Sequence, residues 1–231
     1  MKVEQIMTAL SKVFLFSVLS AVHLYASADD FTVGEITVPR GERVSGFINV
    51  PEGMDEGTTI PVTVVHGVSD GPVLALIAGI HGYEYPPITA LQAMRTQVDP
   101  AALSGTIILV HIANMPAFLG RTIYYSPTDG KNLNRMFPGD PDGSISQRIA
   151  HILTTEVIDQ ANYLVDLHGG DGNEALRPYV YMPVTGNAVF DSKIEGLALA
   201  FGLDHIVMDT GPQHASGLSL FTDQTALERG I

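Results

Sequence analysis

Two apolar runs of this sequence end in residues that bind metals: VLALIAGIHGYE at 73–84 and NYLVDLHGG at 162–170. In an open α/β sheet, parallel strands deliver the residues beyond their carboxyl ends to one edge, where active sites form. His81, Glu84 and His168 are therefore expected to converge. Two histidines and a glutamate suit catalytic zinc, which takes three protein ligands and keeps a fourth position open for water. The chemistry such a set supports is metal-assisted hydrolysis. Glu84 comes three residues after His81 where a strand gives way to a helix, so both side chains can face one point. His-x-x-Glu alone is a weak signal. His168 adds weight because Asp166, two residues earlier, shares its face of an otherwise apolar strand. His23, His66, His111 and His151, read respectively in the leader, a turn, a strand and a helix, have no partner at ligand spacing.

A third constellation is DGKNLNRMFPGD at 129–140. Asn134 and Arg135 pair a neutral amide with a planar guanidinium, and arginine grips carboxylates bidentately. The plain alternative is a turn at Asp129-Gly130 with Arg135 in a surface ion pair.

The elements that must position these residues can be read from periodicity. FTVGEITVPRGERVSGFINV alternates apolar and polar residues and breaks at Gly41, as short antiparallel strands do. The run to Ile80 becomes continuously apolar, like a strand buried on both faces. A helix is expected from Tyr85 to about Val98, a strand at 105–113 and a long irregular loop at 114–143. Next come a helix at 144–159 and the strand leading to His168. A strand at 178–182, a helix at 189–201 and a strand at 205–208 complete the pattern. The expected fold is a three-layer α/β sandwich with a mixed, largely parallel central sheet.

At 231 residues the chain suits one sizeable core. Its formal net charge of -13 argues against nucleic-acid or anionic-membrane partners, since no basic surface neutralises phosphates. Residues 1–28 carry early lysines, an apolar stretch from Val13 to Leu24 and Ala26-Ser27-Ala28 in a small-x-small pattern, as in a cleaved secretory signal. An uncleaved anchor is the alternative, but the stretch falls short of the roughly 20 residues a spanning helix needs. The expectation is a secreted or periplasmic domain at 29–231 with no membrane contact after cleavage. With no cysteine, no disulfide constrains it.

GIHGYE, DGKNLNRMFPGD and VDLHGG occur in the order and approximate spacing of the succinylglutamate desuccinylase and aspartoacylase family, within the zinc carboxypeptidase superfamily. The chain resembles that family from about Gly71 to Ile231. The resemblance implies one zinc ion per chain held by His81, Glu84 and His168. It implies that Asn134 and Arg135 hold a substrate carboxylate, and that Arg121 matches an arginine contacting substrate or the developing oxyanion. The implied activity is hydrolysis of the amide bond of an N-acyl amino acid or related small substrate bearing a carboxylate; a carboxypeptidase-type peptidase is the alternative.

Two departures from the family pattern stand out. Where many members carry aspartate, this chain has Asn132, whose amide could accept the ring N–H of His81 without the charge that raises ligand basicity. The family's general-base glutamate is expected beyond Gly230-Ile231, so the chain reads as truncated, and a catalytically inert zinc-binding fragment is a further reading. Glu156, Glu174, Glu195 and Glu228 are the substitutes on offer, with nothing in the sequence to place one beside the metal. A metal-free structural domain would require three ordered motifs to be accidental.

Overall fold

The computed structural model describes residues 29–210 and 221–231. The leader reading of residues 1–28 and His23 lie outside them. Among the described residues no helix is long and apolar enough to cross a membrane.

The alternating amino-terminal segment forms a hairpin of β1 (Phe31–Val33) and β2 (Ile36–Val38), followed by β3 (Arg43–Val50) and β4 (Thr58–His66). The continuously apolar run forms β5 (Ser69–Ala78), whose last four residues are all buried. With β6 (Ser104–Val110) and β7 (Tyr163–Leu167) these make a five-stranded sheet of order β3-β4-β6-β5-β7. The two pairings on the β3 side are antiparallel; β6-β5 and β5-β7 are parallel. The sheet is thus mixed, and its parallel part contains the strands that lead to His81 and His168.

Side chains of β5 alternate between two cores. Ala75 and Ile77 face the larger one, with Ile145, Ile149 and Leu153 of α3 (Ile145–Glu156). Leu76 and Ala78 face the other, with Ile88 and Leu91 of α1 (Tyr85–Met94). Helices therefore cover both faces, giving the expected three layers. Burying Ile88 and Leu91 contributes on the order of 1.5–3 kcal/mol each, enough to hold α1 and the turn before it against the sheet.

The segment expected to be irregular at 114–143 contains α2 (Met115–Gly120) and a 3-10 turn at Leu133–Arg135. Both are held by local caps: Asn114 Oδ1 accepts from Ala117 N at 3.2 Å, and Asn132 Oδ1 from Asn134 N at 2.9 Å. Leu133 and Phe137 anchor the segment in the core. His111, expected within a strand, lies just past the end of β6, and its N–H donates to Pro61 O at 3.0 Å. After β7 come β8 (Val180–Pro183), α4 (Ala188–Ala200), β9 (Ile206–Asp209) and α5 (Thr222–Glu228). β8 and β9 pair in parallel as a separate two-stranded sheet.

Candidate metal centre

β5 and β7 are parallel neighbours with Ala78 opposite Leu167, so the chain leaves both strands at the same edge of the sheet. After β5 the chain turns tightly, with Glu84 N donating to His81 O at 3.3 Å, and α1 starts at once on Pro86 and Pro87. Proline fits the first helical turn because its φ is already helical and its missing N–H has no partner to lose there. Gly82, between His81 and Glu84, packs on the backbone of Ala117 so closely that a Cβ would lie 2.2 Å from it. Backbone contact with α2 thus fixes the turn carrying two of the three residues.

His81 Nδ1 lies 2.7 Å from Glu84 Oε1, and His168 Nδ1 lies 2.8 Å from Glu84 Oε2. Gly169 N also donates to Oε2 at 3.1 Å. One ligand atom from each of the three falls within 4.8 Å of the others, a group that could hold a metal ion. His81 and Glu84 are buried, and His168 stays partly exposed. The outer ring nitrogens have acceptors of their own: His81 Nε2 meets Asn132 Oδ1 at 3.2 Å, and His168 Nε2 meets Asp166 Oδ2 at 3.1 Å.

These partners decide what the inner nitrogens can be. Asn132 Oδ1 also receives the Asn134 backbone N–H, so it is the amide oxygen and can only accept. His81 must then donate from Nε2, which makes Nδ1 of its neutral ring an acceptor facing a carboxylate oxygen. His168, between Asp166 and Glu84, is in the same position. Two acceptors at such distances need a proton or a cation between them. Burial pulls the His168 imidazole down, but the Asp166 and Glu84 carboxylates outweigh it and hold it well above the ordinary histidine range. Burial pushes Glu84 up, and the hydrogen bonds and charge of His168 and His81 bring it down to about 2. The donor set, its inward geometry and its outer acceptors fit a divalent cation.

The segment holding Asn132 is docked on the start of α3. Asp129 accepts from Ser146 N at 3.0 Å, Ser146 Oγ at 2.9 Å and Lys131 N at 3.1 Å. Burial works against its charge, but these bonds hold its carboxyl below the usual range. Asp129 therefore does more than form a turn. Asn134 Oδ1 accepts from Thr222 N at 3.0 Å and Thr222 Oγ1 at 3.1 Å. Arg135 makes no ion pair among the described residues; its guanidinium lies 4.1 Å over the Phe221 ring.

Arg121 is not brought to the three ligands. It caps α2 in a left-handed conformation, φ 53°, and lines a groove of about 370 Å³ with Tyr85, Ile88, Phe118 and Leu119. Three of the substitute carboxylates lie on other elements, and Glu174 packs against Gly170, two residues past His168. Glu156 accepts from Gly34 N, Glu174 closes a turn on Asp171 N, Glu195 lies on α4, and Glu228 lines a groove beside α4. The structure adds residues that the sequence did not single out. Tyr124 stands edge-on to His81, ring centroids 5.1 Å apart, and its phenol is raised by a hydrogen bond to Asp171. Asp223 on α5 is pushed up by burial and by the charge of Asp166, with His168 opposing. No local pattern marks either, because their partners lie tens of residues away.

The catalytic-domain profile described as succinylglutamate desuccinylase/aspartoacylase matches residues 70–229, which contain His81, Glu84 and His168. The chain belongs to the succinylglutamate desuccinylase/aspartoacylase family. A family relative, the N-alpha-acetyl-L-2,4-diaminobutyric acid deacetylase of Halomonas elongata, is 38% identical over 168 residues, covering 71% of this chain and 48% of that protein. The chain thus spans about half the length of that curated relative. Among solved structures, the succinylglutamate desuccinylase/aspartoacylase of Rhodobacter sphaeroides superposes with a TM-score of 0.72 at 29% identity, over 82% of this chain and 55% of the other. The product-bound ectoine utilization protein EutE (DoeB) of Ruegeria pomeroyi gives 0.72 at 27%, over 84% and 59%. The desuccinylase/aspartoacylase fold accounts for the mixed sheet and its two helical layers.

Proposed function

We propose that this family member is a zinc-dependent deacylase that hydrolyses the amide bond of an N-acyl amino acid or a similar small substrate bearing a carboxylate. The observation that carries this reading is the convergence of His81 Nδ1, His168 Nδ1 and the Glu84 carboxylate, each ring backed by an acceptor on Nε2. The deacetylase relative, named for an acetylated diamino acid, supports the substrate class.

His81, Glu84 and His168 would hold the zinc ion, which would supply a Lewis acid able to lower the pKa of a water toward about 7. The chain's own residues supply orientation. Asn132 and Asp166 hold the Nε2 protons of His81 and His168, fixing ring tautomer and direction. Asn134 and Arg135 grip the substrate carboxylate, which aligns the acyl carbon for attack and turns binding into orientation. The apolar stretch and small-x-small pattern within 1–28 support an exported location.

Elemental analysis of the purified full-length protein, beside His81→Ala, tests the site: near-stoichiometric zinc that the variant loses is expected. Hydrolysis of N-acyl amino acids against short peptides tests the reaction. Full zinc with no turnover of either would overturn the deacylase reading in favour of an inert zinc-binding module, and no zinc in either protein would overturn the site itself.

A further inference from the structure

The start of α5 does something to Asn134 and Arg135 that no local feature of their own loop explains. A backbone N–H and a hydroxyl, both from Thr222, face one branch of the Asn134 amide at 3.0 and 3.1 Å. A backbone N–H can only donate, so that branch is the oxygen and the –NH₂ is on the other. Unheld, the amide could rotate by half a turn and offer its oxygen, which repels a carboxylate. Thr222 is fully buried, so water does not compete for this contact.

Arg135 is held in a complementary way. Phe221 takes one face of its guanidinium at 4.1 Å, and Arg135 Nη1 donates to Asn134 O at 2.6 Å. Stacking uses the π face and leaves the remaining in-plane N–H groups for a ligand. α5 also packs on β7, the strand that carries Asp166 and ends just before His168. The other side of the pair is tied to the metal centre through Asn132, which caps Asn134 and meets His81.

We infer that Phe221 and Thr222 are positioning residues that hold Asn134 and Arg135 as a face of donors only, selecting a carboxylate over a neutral amide at that end of the substrate. The inference rests on the proposed function, because it takes Asn134 and Arg135 as the substrate grip. Neither residue touches the reacting bond; both act through the pair.

The test is binding to the full-length, zinc-loaded protein by isothermal titration calorimetry, with N-acetyl-L-alanine and its neutral analogue N-acetyl-L-alaninamide as probes. The native protein is expected to prefer the acid, and Arg135→Ala to abolish the preference. Thr222→Val and Phe221→Leu should each reduce it by about 5-fold, with zinc content unchanged and affinity for the neutral probe nearly so. Thr222→Ser and Phe221→Tyr, which keep the hydroxyl and the ring, should restore it. A preference lost in Arg135→Ala but intact in Thr222→Val and Phe221→Leu overturns this inference and leaves the substrate reading standing. No preference in the native protein, or none lost in Arg135→Ala, overturns the substrate reading and this inference with it. Equal weakening for both probes, unrestored by the conservative variants, would make the role merely structural.

Discussion

Glu84 reaches His168 across 84 residues of chain, with Oε2 lying 2.8 Å from Nδ1, so one carboxylate joins the ends of β5 and β7. Its other oxygen meets His81, which makes Glu84 the hub of the site. Glu84→Gln keeps the shape but removes the charge and places an –NH₂ against one of the two rings. Zinc content after dialysis is expected to fall well below one equivalent in Glu84→Gln and to vanish in His168→Ala. Full retention in His168→Ala would show that the ligand set is wrong.

Asn132 offers a direct handle on metal affinity. Its oxygen accepts from His81 Nε2 and from Asn134 N, and an aspartate could make both contacts while adding the charge that raises ligand basicity. Asn132→Asp is therefore expected to slow zinc loss to a chelator, and Asn132→Leu to weaken binding by about 10-fold. Identical chelation curves for all three proteins would mean that His81 does not depend on this contact.

His111 sets an acid limit on stability. It is buried beyond β6, with Nε2 2.8 Å from Thr63 Oγ1. Burial first, and the charge of Arg95 second, lower its pKa from 6.5 to about 4. The unfolded chain therefore binds a proton below pH 6.5 that the folded chain refuses until about pH 4. This group costs nothing above pH 6.5 and destabilises progressively as pH falls toward 4. Between pH 7.5 and 5.0 the loss attributable to it is about 2 kcal/mol. Denaturant unfolding at both values should show a smaller drop in His111→Asn than in the native protein. Equal drops would mean that His111 is not buried neutral.

The two strands that lead to His81 and His168 were legible because both are apolar runs, the end of β5 fully buried and β7 partly buried at the sheet edge, with each histidine within a few residues of its strand's end. Asn132 and Asp166 were legible for related reasons: one lies in a motif, the other shares His168's face by strand alternation. What the sequence hid is what depends on contacts distant along the chain. Thr222 meets Asn134 88 residues away, and Phe221 meets Arg135 across a comparable gap. Two helices were misjudged locally. The six-residue α2 is too short for a periodic signal and survives on its Asn114 cap, and the helix after Glu84 ends at Met94, short of the expected Val98. Arg121 was matched by loop position; it ends α2 with a left-handed backbone and lines the groove beside α1.

Arg148 shows how the amino-terminal strands are tied to the half that carries the site. It is buried on α3, and its guanidinium donates to Pro51 O at 3.1 Å, Gly143 O at 2.7 Å, Asp55 O at 3.0 Å and Glu56 O at 3.2 Å. These carbonyls belong to the β3–β4 loop and to the turn entering α3. No carboxylate neutralises the charge among these contacts; carbonyl dipoles solvate it instead. Arg148→Met keeps the aliphatic stem but leaves the buried Gly143 carbonyl and three part-buried ones without their donor, which costs roughly 2–3 kcal/mol. For a domain of this size that is a fall of roughly 5–10 °C in Tm. Arg148→Lys, with one donor centre in place of a planar fork, should recover only part of it. Because the candidate ligands lie just past β5 and β7 and just before α1, away from this clamp, zinc content at 25 °C should be unchanged in both variants. Thermal unfolding followed with zinc content thus separates the clamp from the site, and a native Tm in Arg148→Met would show that the loop is held by other means.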